Sequence, residues 1–451
     1  MSEANVMENK EPSDKLDFKK VLPVFLIVLI DLLGLTIIIP LMPLYAASFG
    51  ASPAIIGLLG ATYPMLQFVG SPILGRLSDR YGRKPILVIS QLGTLAGFIL
   101  LASAHSIWLL FLSRMIDGIS GANISTAQAV ISDSTNEKTR TQGLGLLGAA
   151  FGLGFIIGPV IAFLSLAASG NNFHVPAWVA AGFSLVSILT TIFVLKETLP
   201  VGQRGKNHNA EITFKTMIAG LRKPITGFLL ILMFSFQLAF GGFEQLLSLF
   251  TLNRLGLDAR GNSILFVFVG IIIVLVQGYF IGKWSKKFGD KWLIRMGLIL
   301  LAAGLLISGL TPKQAVPWYS RSAVEAQLSG TRTLPGETPP TQNLKIDLPV
   351  EKNQGWLGII WLMAAMIPAA IGGGVLQPAI NSLLTRSVSI SEIGGILGVS
   401  AAMLSGANAL APVIGGGIFQ WLGPSYPFLI GGGLLFVLWI LANREFRKAA
   451  I

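Results

Sequence analysis

Four charged side chains lie inside long apolar runs of this sequence. Asp31 stands about ten residues into the first run, Arg114 and Asp117 lie three residues apart in another, and Glu244 lies in a run of the second half. A charge surrounded by hydrocarbon must face a wet cavity, form a pair or be neutralised by a proton. Asp31 and Glu244 are therefore candidates for proton binding, and the Arg114–Asp117 pair is a candidate for setting the protonation of nearby carboxylates.

The apolar runs that hold these residues predict membrane-spanning helices. Of the 451 residues, 53% are hydrophobic and only 12% are charged, whereas soluble domains carry about 25% charged residues. One crossing of a bilayer takes about 20 apolar residues. Twelve candidate spans of this kind lie at residues 21–47, 54–77, 85–104, 107–130, 141–167, 176–195, 225–252, 262–282, 291–310, 356–384, 392–419 and 425–442.

Several kinds of chemistry are excluded by composition and spacing. The chain has no cysteine, its three histidines show no metal-binding spacing, and the phosphate-binding pattern G-x-x-x-x-G-K-[ST] is absent. The net charge of +12 is spread over many loops rather than gathered in one stripe, which argues against nucleic acid as a partner. We therefore expect no enzyme activity, no metal and no cofactor.

The basic residues predict the orientation of the chain. If both termini are cytoplasmic, 25 of the 33 Lys and Arg residues lie in cytoplasmic segments and seven lie outside, with Arg114 inside a span. The predicted parts are a cytoplasmic tail 1–20, a six-helix bundle 21–195, a cytoplasmic linker 196–224, a second six-helix bundle 225–442 with an external insertion 311–355, and a cytoplasmic tail 443–451.

The two halves also share sequence. The segment Leu74–Lys84 aligns with Ile281–Lys291 at an offset of 207 residues, and Gly158–Ile161 aligns with Ala411–Ile414 at an offset of 253. The difference between the offsets matches the polar insertion 311–355, so an internal duplication is indicated. Its prolines and mixed charges predict an irregular external loop, and a lid or a partner-docking segment is the alternative.

The loop between the second and third spans identifies a family. Residues Gly75–Lys84 resemble the signature G-x-L-x-D-R-x-G-R-[KR] of the major facilitator superfamily and match it at every fixed position. The resemblance implies an all-α membrane protein with twelve helices in two pseudo-symmetric bundles. It also implies a conformational latch, for which we expect a close helix approach at the first glycine. The implied latch residues are Gly75, Asp79, Arg80, Gly82 and Arg83.

Other segments resemble the drug/proton antiporter branch, which includes tetracycline-exporter-like proteins. The segment Asp31–Pro43 is similar to the first helix of that branch, and Leu110–Gly118 is similar to a pattern that has Gln where this chain has Asp117. The glycine-rich fifth span resembles the antiporter signature but lacks its final Gly-Gly pair. Small residues and prolines permit close packing and bending, so we expect a helix-packing hinge. Its residues are Gly154, Gly158, Pro159 and Pro412.

Together these features predict a secondary transporter that exports a drug-like or amphipathic small molecule in exchange for protons by alternating access. A monomer in a bacterial inner membrane is expected. The alternatives are a carrier of sugars, metabolites or lipids, and a membrane receptor or scaffold that transports nothing. Uncharged polar residues in the spans either line the central cavity or bond helix to helix. The residues assigned to the cavity are Asp31, Arg114, Asp117, Glu244, Asn123, Gln237 and Gln377.

Overall fold

A computed structural model of the protein describes residues 18–121, 123–135, 140–204, 224–329, 346–388 and 393–448. The helices of the first half are α1 Phe18–Ile38, α2 Met42–Ser48, α3 Pro53–Tyr81, α4 Arg83–Ala102, α5 Ile107–Ser120, α6 Asn123–Asp133, α7 Arg140–Ala168 and α8 His174–Phe193. The helices of the second half are α9 Pro224–Leu255, α10 Ala259–Leu275, α11 Ile281–Phe288, α12 Asp290–Gly309, α13 Arg321–Ser329, α14 Leu357–Arg386, α15 Ile393–Trp421 and α16 Tyr426–Lys448.

The predicted spans correspond to these helices. Within the described residues, 11 helical segments are long and apolar enough to cross a membrane, and a π-helical turn at Val276–Phe280 joins α10 and α11 into one of them. The predicted span 107–130 differs because it contains two shorter helices, α5 and α6, and α5 ends at Ser120 with Gly121 in a turn. Their combined length still suffices for one crossing.

The two aligned loops have the same backbone geometry. Gly82 between α3 and α4 has φ +109°, and Gly289 between α11 and α12 has φ +78°. This left-handed region favours glycine because other residues suffer steric strain there. The amide of Gly82 donates to the carbonyl of Ser78, and the amide of Gly289 donates to that of Ser285. We call the end of the molecule that carries these two loops the basic end, and the opposite end, where the described insertion residues 311–329 and 346–355 lie, the insertion end.

The two bundles pack against each other through two helix pairs, α3 with α15 and α7 with α10. At the insertion end the approach of α3 to α15 is very close, because a Cβ added to Gly57 would lie 2.1 Å from the carbonyl oxygen of Pro412. Hydrogen bonds join the bundles at the same end: the Ala54 amide donates to Gln420 Oε1 at 3.1 Å, and Ser248 Oγ donates to the Pro40 carbonyl at 2.9 Å.

The basic end is more open. Cβ atoms added to Gly75 on α3, to Gly278 in the π-turn or to Gly282 on α11 would meet nothing within 4 Å. No helix approaches Gly75 closely in this conformation, so the close approach expected at this glycine stays a prediction. Open space therefore lies beside Gly75 on the side of α3 where a partner helix was expected.

The insertion is more ordered than the sequence predicts. Its described residues include the helix α13, which packs against α2, and a β-bridge between Ala315 and Gln354. Val316 donates its amide to the carbonyl of Leu255 at 2.9 Å, and the Val316 side chain is 1% exposed. The described part of the insertion departs from an irregular loop at the helix α13, and several of its apolar side chains are buried. These side chains are Val316, Tyr319, Val324, Leu328, Ile346 and Leu348.

Candidate functional site

A small cavity inside the first bundle is lined by two of the four charged residues predicted from the sequence. Asp31 on α1 and Asp117 on α5 both line it, together with Tyr63 of α3 and Thr94 of α4. Its volume of about 30 Å³ is room for a water molecule, which is the kind of wet site that an intramembrane carboxylate requires. Five helices thus line one small cavity that holds two carboxylates among mostly apolar side chains.

Arg114 lies next to this cavity and pairs with Asp117. The Arg114 Nη1 to Asp117 Oδ2 distance is 3.2 Å, and both side chains are at least 95% buried. The guanidinium also lies 5.7 Å from the ring centre of Phe98 and 6.0 Å from that of Tyr63. Its Nε and Nη2 are buried without a hydrogen-bond partner among the described residues. The pair therefore retains donor capacity that a substrate group or a water molecule can use.

The break between α5 and α6 adds polar backbone groups beside the pair. The carbonyl of Gly121 accepts from Gln67 Nε2 at 2.8 Å, and the carbonyl of Ser120 accepts from Ser90 Oγ. Non-helical backbone within a membrane persists only where such partners or a cavity satisfy it. Interrupted helices frequently form the binding sites of transporters, so the break marks the same region as the charges.

The other polar residues assigned to the cavity have different surroundings. Gln237 of α9 donates to Asn408 Oδ1 of α15 at 2.7 Å and so bonds two helices of the second bundle. Gln377 is partly buried on α14 and is not among the residues lining the cavity in the first bundle. Asn123 begins α6 directly after the break, but its side chain lies outside the described residues.

Glu244 lies away from the first-bundle cavity, at the junction between the bundles. It is partly buried on α9. Its neighbour Gln245 has Oε1 3.1 Å from the position of a Cβ on Gly60 of α3, and Ser248, one turn further along α9, donates to the Pro40 carbonyl. The structure therefore does not bring Glu244 together with Asp31, and it places Glu244 beside the contacts that close the insertion end.

Of the predicted hinge residues, two are points of close helix approach. A Cβ on Gly158 would lie 2.1 Å from Thr36 Oγ1, so α7 packs at Gly158 directly against the Thr36 side chain of α1. Pro412 makes the contact between α15 and Gly57 described above. Gly154 has ordinary contact with Leu32 at 3.4 Å, and α7 runs unbroken through Pro159.

The predicted latch is an ionic cluster around Arg83. Its guanidinium lies 2.5 Å from Asp79 and 3.0 Å from Asp133 at the end of α6, and it donates to Ser78 Oγ at 2.8 Å. Arg83 is 3% exposed, so these bonds are largely shielded from water. Arg80 is exposed and lies 5.4 Å from the ring centre of Tyr81.

The second bundle contains the same cluster with its charges reversed. The offset of 207 residues aligns Arg83 with Asp290, and the offset of 253 aligns Asp133 with Arg386. Asp290 is 4% exposed, pairs with Arg386 at 3.4 Å and accepts hydrogen bonds from Ser285 and Ser382. An ion pair of opposite polarity, with a buried Asp290 and a largely exposed Arg386, thus joins the equivalent helices.

This reversal predicts which substitutions the latch tolerates. We expect Arg83→Asp to cost about 3 to 5 kcal/mol, because it buries a third carboxylate next to Asp79 and Asp133. Adding Asp79→Lys and Asp133→Arg reproduces the charges of the second bundle and should recover most of the folded protein. The yield of monodisperse protein after purification measures both effects. A triple variant that is no better than the single variant would contradict this account.

Comparison with known families decides what the chain is. The sequence model of the Major Facilitator Superfamily matches residues 24–324, about two thirds of the chain. The chain belongs to this superfamily. The predictions of a major facilitator fold and of an integral membrane protein are confirmed, and the chain is a transporter rather than an enzyme.

Individual relatives of this major facilitator are bacterial resistance proteins. The chain is 34% identical over 400 residues to the class B tetracycline resistance protein of Escherichia coli, which covers 86% of this chain and 85% of that protein. It is 25% identical over 414 residues to multidrug resistance protein 2 of Bacillus subtilis (strain 168), with 91% of each chain covered. The predicted resemblance to the drug antiporter branch is thereby confirmed.

Solved structures support the fold over the whole length. The crystal structure of the human organic anion transporter MFSD10 has a TM-score of 0.65 and 21% identity, covering 96% of this chain and all of the other. A POT family transporter in complex with 5-aminolevulinic acid has a TM-score of 0.73 and 13% identity, covering 97% and 98%. At identities of 21% and 13%, the similarity supports the fold of this major facilitator alone.

The cavity of this major facilitator is also lined by three residues that were not predicted from the sequence. They are Tyr63, Thr94 and Phe98. Each is a single aromatic or hydroxyl residue in an apolar span, a type that also serves as ordinary packing. Gln67 is an uncharged polar residue of a span, and its bond to the Gly121 carbonyl depends on a helix break that hydropathy does not reveal. A signal was present in Gly118-Ile-Ser-Gly121, because two glycines so close together weaken a helix.

Proposed function

We propose that this protein exports drug-like small molecules from a bacterial cell in exchange for protons. The observation that carries the proposal is the group formed by Asp31, Arg114 and Asp117 beside the helix break, since buried carboxylates with an unsatisfied guanidinium can exchange protons as the surroundings change. The resistance proteins among its relatives support a drug as substrate. The protein acts as a monomer in the inner membrane, with both termini and the basic end in the cytoplasm.

Protonation of Asp31 is the coupling event in this proposal. An ionised Asp31 favours a cavity that is open to water, and a protonated Asp31 lowers the cost of enclosing it. Arg114 and Asp117 set the affinity of Asp31 for protons. Glu244 is a second proton site, at which loss of charge favours closure of the insertion end because burying an ionised carboxylate costs free energy.

Alternating access uses the two ends of the molecule in turn. With the basic end in the cytoplasm, the described conformation is open to the cytoplasm and closed outside. In the opposite conformation the space beside Gly75 is filled by the second bundle, which gives the latch glycine its expected role. The ionic cluster of Arg83 keeps the loop rigid during this exchange.

The experiment that tests this function uses purified protein in liposomes with an imposed pH gradient. Tetracycline and a panel of lipophilic cations, sugars and lipids are added in turn, and a pH-sensitive dye reports proton movement. We expect tetracycline or a lipophilic cation to drive proton flux. Flux with sugars or lipids alone would favour the alternative carriers, and a complete lack of flux would favour a receptor or scaffold.

The contact between Gly57 and Pro412 gives a further prediction. Gly57→Val cannot fit in the described conformation, so it should shift the population towards the outward-open form about tenfold. Because the chain has no cysteine, a single Gln245→Cys probe can report this through its labelling rate with an impermeant maleimide from the outside. Gly182→Val is the matched control, since a Cβ at Gly182 meets nothing within 4 Å. Equal labelling rates in both variants would refute the proposal that the contact between Gly57 and Pro412 closes the insertion end.

A further inference from the structure

A second cavity lies at the basic end, far from the charged group of the first bundle. Its volume is about 200 Å³, and its walls come from the ends of α9, α12, α14 and α16. One side is apolar, formed by Phe228, Leu229 and Phe446, with the rings of Phe228 and Phe446 6.0 Å apart and perpendicular. The other side carries Lys291 and Arg386. This combination is suited to an amphipathic anion.

The pseudo-symmetric corner of the first bundle shows what such a site holds. There, Glu197 accepts hydrogen bonds from the backbone amides of Arg83 and Lys84, at 3.0 and 3.3 Å, and so places a carboxylate at the start of α4. The first amides of a helix bind anions because they have no partner within the helix. In the first bundle, the chain itself supplies this anion.

The second bundle lacks that carboxylate. The offset of 207 residues aligns Lys84 with Lys291, and the offset of 253 aligns Glu197 with Ala450, which has no charge. Within the described residues, no side chain accepts from the amides of Asp290 or Lys291, and no ion pair or hydrogen bond involves the Lys291 ammonium. The cavity therefore occupies the place at which the first bundle holds an anion of its own.

The charges around the cavity favour a negative ligand. Lys291 is half-buried, and the side chain of Arg386 is 69% exposed although it also contacts Asp290. Arg295 follows one turn along α12, and its buried Nε has no hydrogen-bond partner among the described residues. Glu445 is the carboxylate on the cavity wall, and it is exposed to water, which screens its charge.

We propose that this cavity binds the phosphate headgroup of an anionic phospholipid from the leaflet at the basic end. The phosphate lies between Lys291 and Arg386 at the start of α12, and an acyl chain follows the apolar wall past Ile225, which is 52% exposed, into the bilayer. Basic pockets between helices at this depth suit lipid headgroups. A free phosphate ion uses the same cations but gains nothing from the apolar wall.

The test measures lipids bound to the purified full-length protein by native mass spectrometry. Phosphatidylglycerol, phosphatidylcholine and inorganic phosphate are the probes. We expect retained phosphatidylglycerol, little phosphatidylcholine, and binding of phosphatidylglycerol about fivefold weaker in Lys291→Gln, because one basic residue near a membrane surface contributes about that factor. Lys291→Arg should retain binding, since it keeps the charge.

Lys286→Gln is the matched control, because Lys286 is an exposed lysine of the same loop and does not line the cavity. Two outcomes overturn the proposal: equal weakening by Lys286→Gln and Lys291→Gln, which indicates general surface charge, and unchanged binding in Lys291→Gln. Displacement of phosphatidylglycerol by inorganic phosphate at equal concentration would also overturn it, since the apolar wall would then contribute nothing. Drug-driven proton flux is measured separately, so failure here leaves the proposed function untouched.

Discussion

Asp31→Asn is expected to abolish proton flux driven by substrate, down to the background of protein-free liposomes. Asparagine keeps the shape of the side chain, replaces one carboxylate oxygen by an NH2 donor, and cannot bind or release a proton in the accessible pH range. Exchange of labelled for unlabelled substrate at equal concentrations needs no net proton movement and should continue. The measurement compares both kinds of flux in the same preparation of liposomes.

The control for this variant is Glu325→Gln, which removes a carboxylate from the exposed helix α13. It should leave both fluxes unchanged. If proton movement driven by substrate persists in Asp31→Asn, Asp31 is not the coupling site. If the loss occurs in Glu244→Gln instead, the second carboxylate has the role assigned here to Asp31.

The second large effect concerns the buried pair of Arg114 and Asp117. Arg114→Gln leaves Asp117 without its partner at 2% exposure, and we expect it to lower the free energy of unfolding by about 3 to 5 kcal/mol. Asp117→Asn leaves the buried Arg114 guanidinium without its charged partner in the same way. The double variant should be far more stable than the sum of the single effects predicts, because neither charge is then left alone. Equilibrium unfolding in mixed SDS micelles measures all four proteins.

A surface pair provides the matched control for this cycle. Arg321 and Glu325 on α13 are 2.8 Å apart but 53% and 42% exposed, so their coupling should be below about 1 kcal/mol. Equal coupling in the two cycles would show that burial does not strengthen the Arg114–Asp117 pair. A double variant that folds stably but carries no proton flux would support a role of this pair in coupling.

The sequence predicted most of the fold because membrane helices are encoded locally. Length and hydropathy set each span, and the loop signature set the family. The break at Gly121 was not predictable in this way, since residues 107–130 are apolar enough for one continuous helix. The break is stabilised by Gln67 and Ser90 from other helices, and such long-range partners leave no trace in local hydropathy.

The candidate site was predicted only in part for a similar reason. Buried charges such as Asp31, Arg114 and Asp117 stand out because they are costly in a membrane. Gln237 and Glu244 stand out in the sequence in the same way, but their positions depend on how the second bundle packs. The sequence therefore could not show that Gln237 bonds two helices whereas Glu244 lies at the junction between the bundles. The insertion was misjudged because burial of Val316 and Tyr319 depends on helix ends distant in sequence.

The contact between Gly57 and Pro412 has a consequence for the kinetics of transport. The contact is made by backbone atoms, so a change of side-chain rotamer cannot weaken it gradually. The helices α3 and α15 must therefore separate as rigid bodies. Opening of this end is then a single activated step. Single-molecule recordings with dyes on the two helices should show abrupt jumps between two signal levels. Substrate or pH should change the lifetimes of the two states and leave the two signal levels fixed.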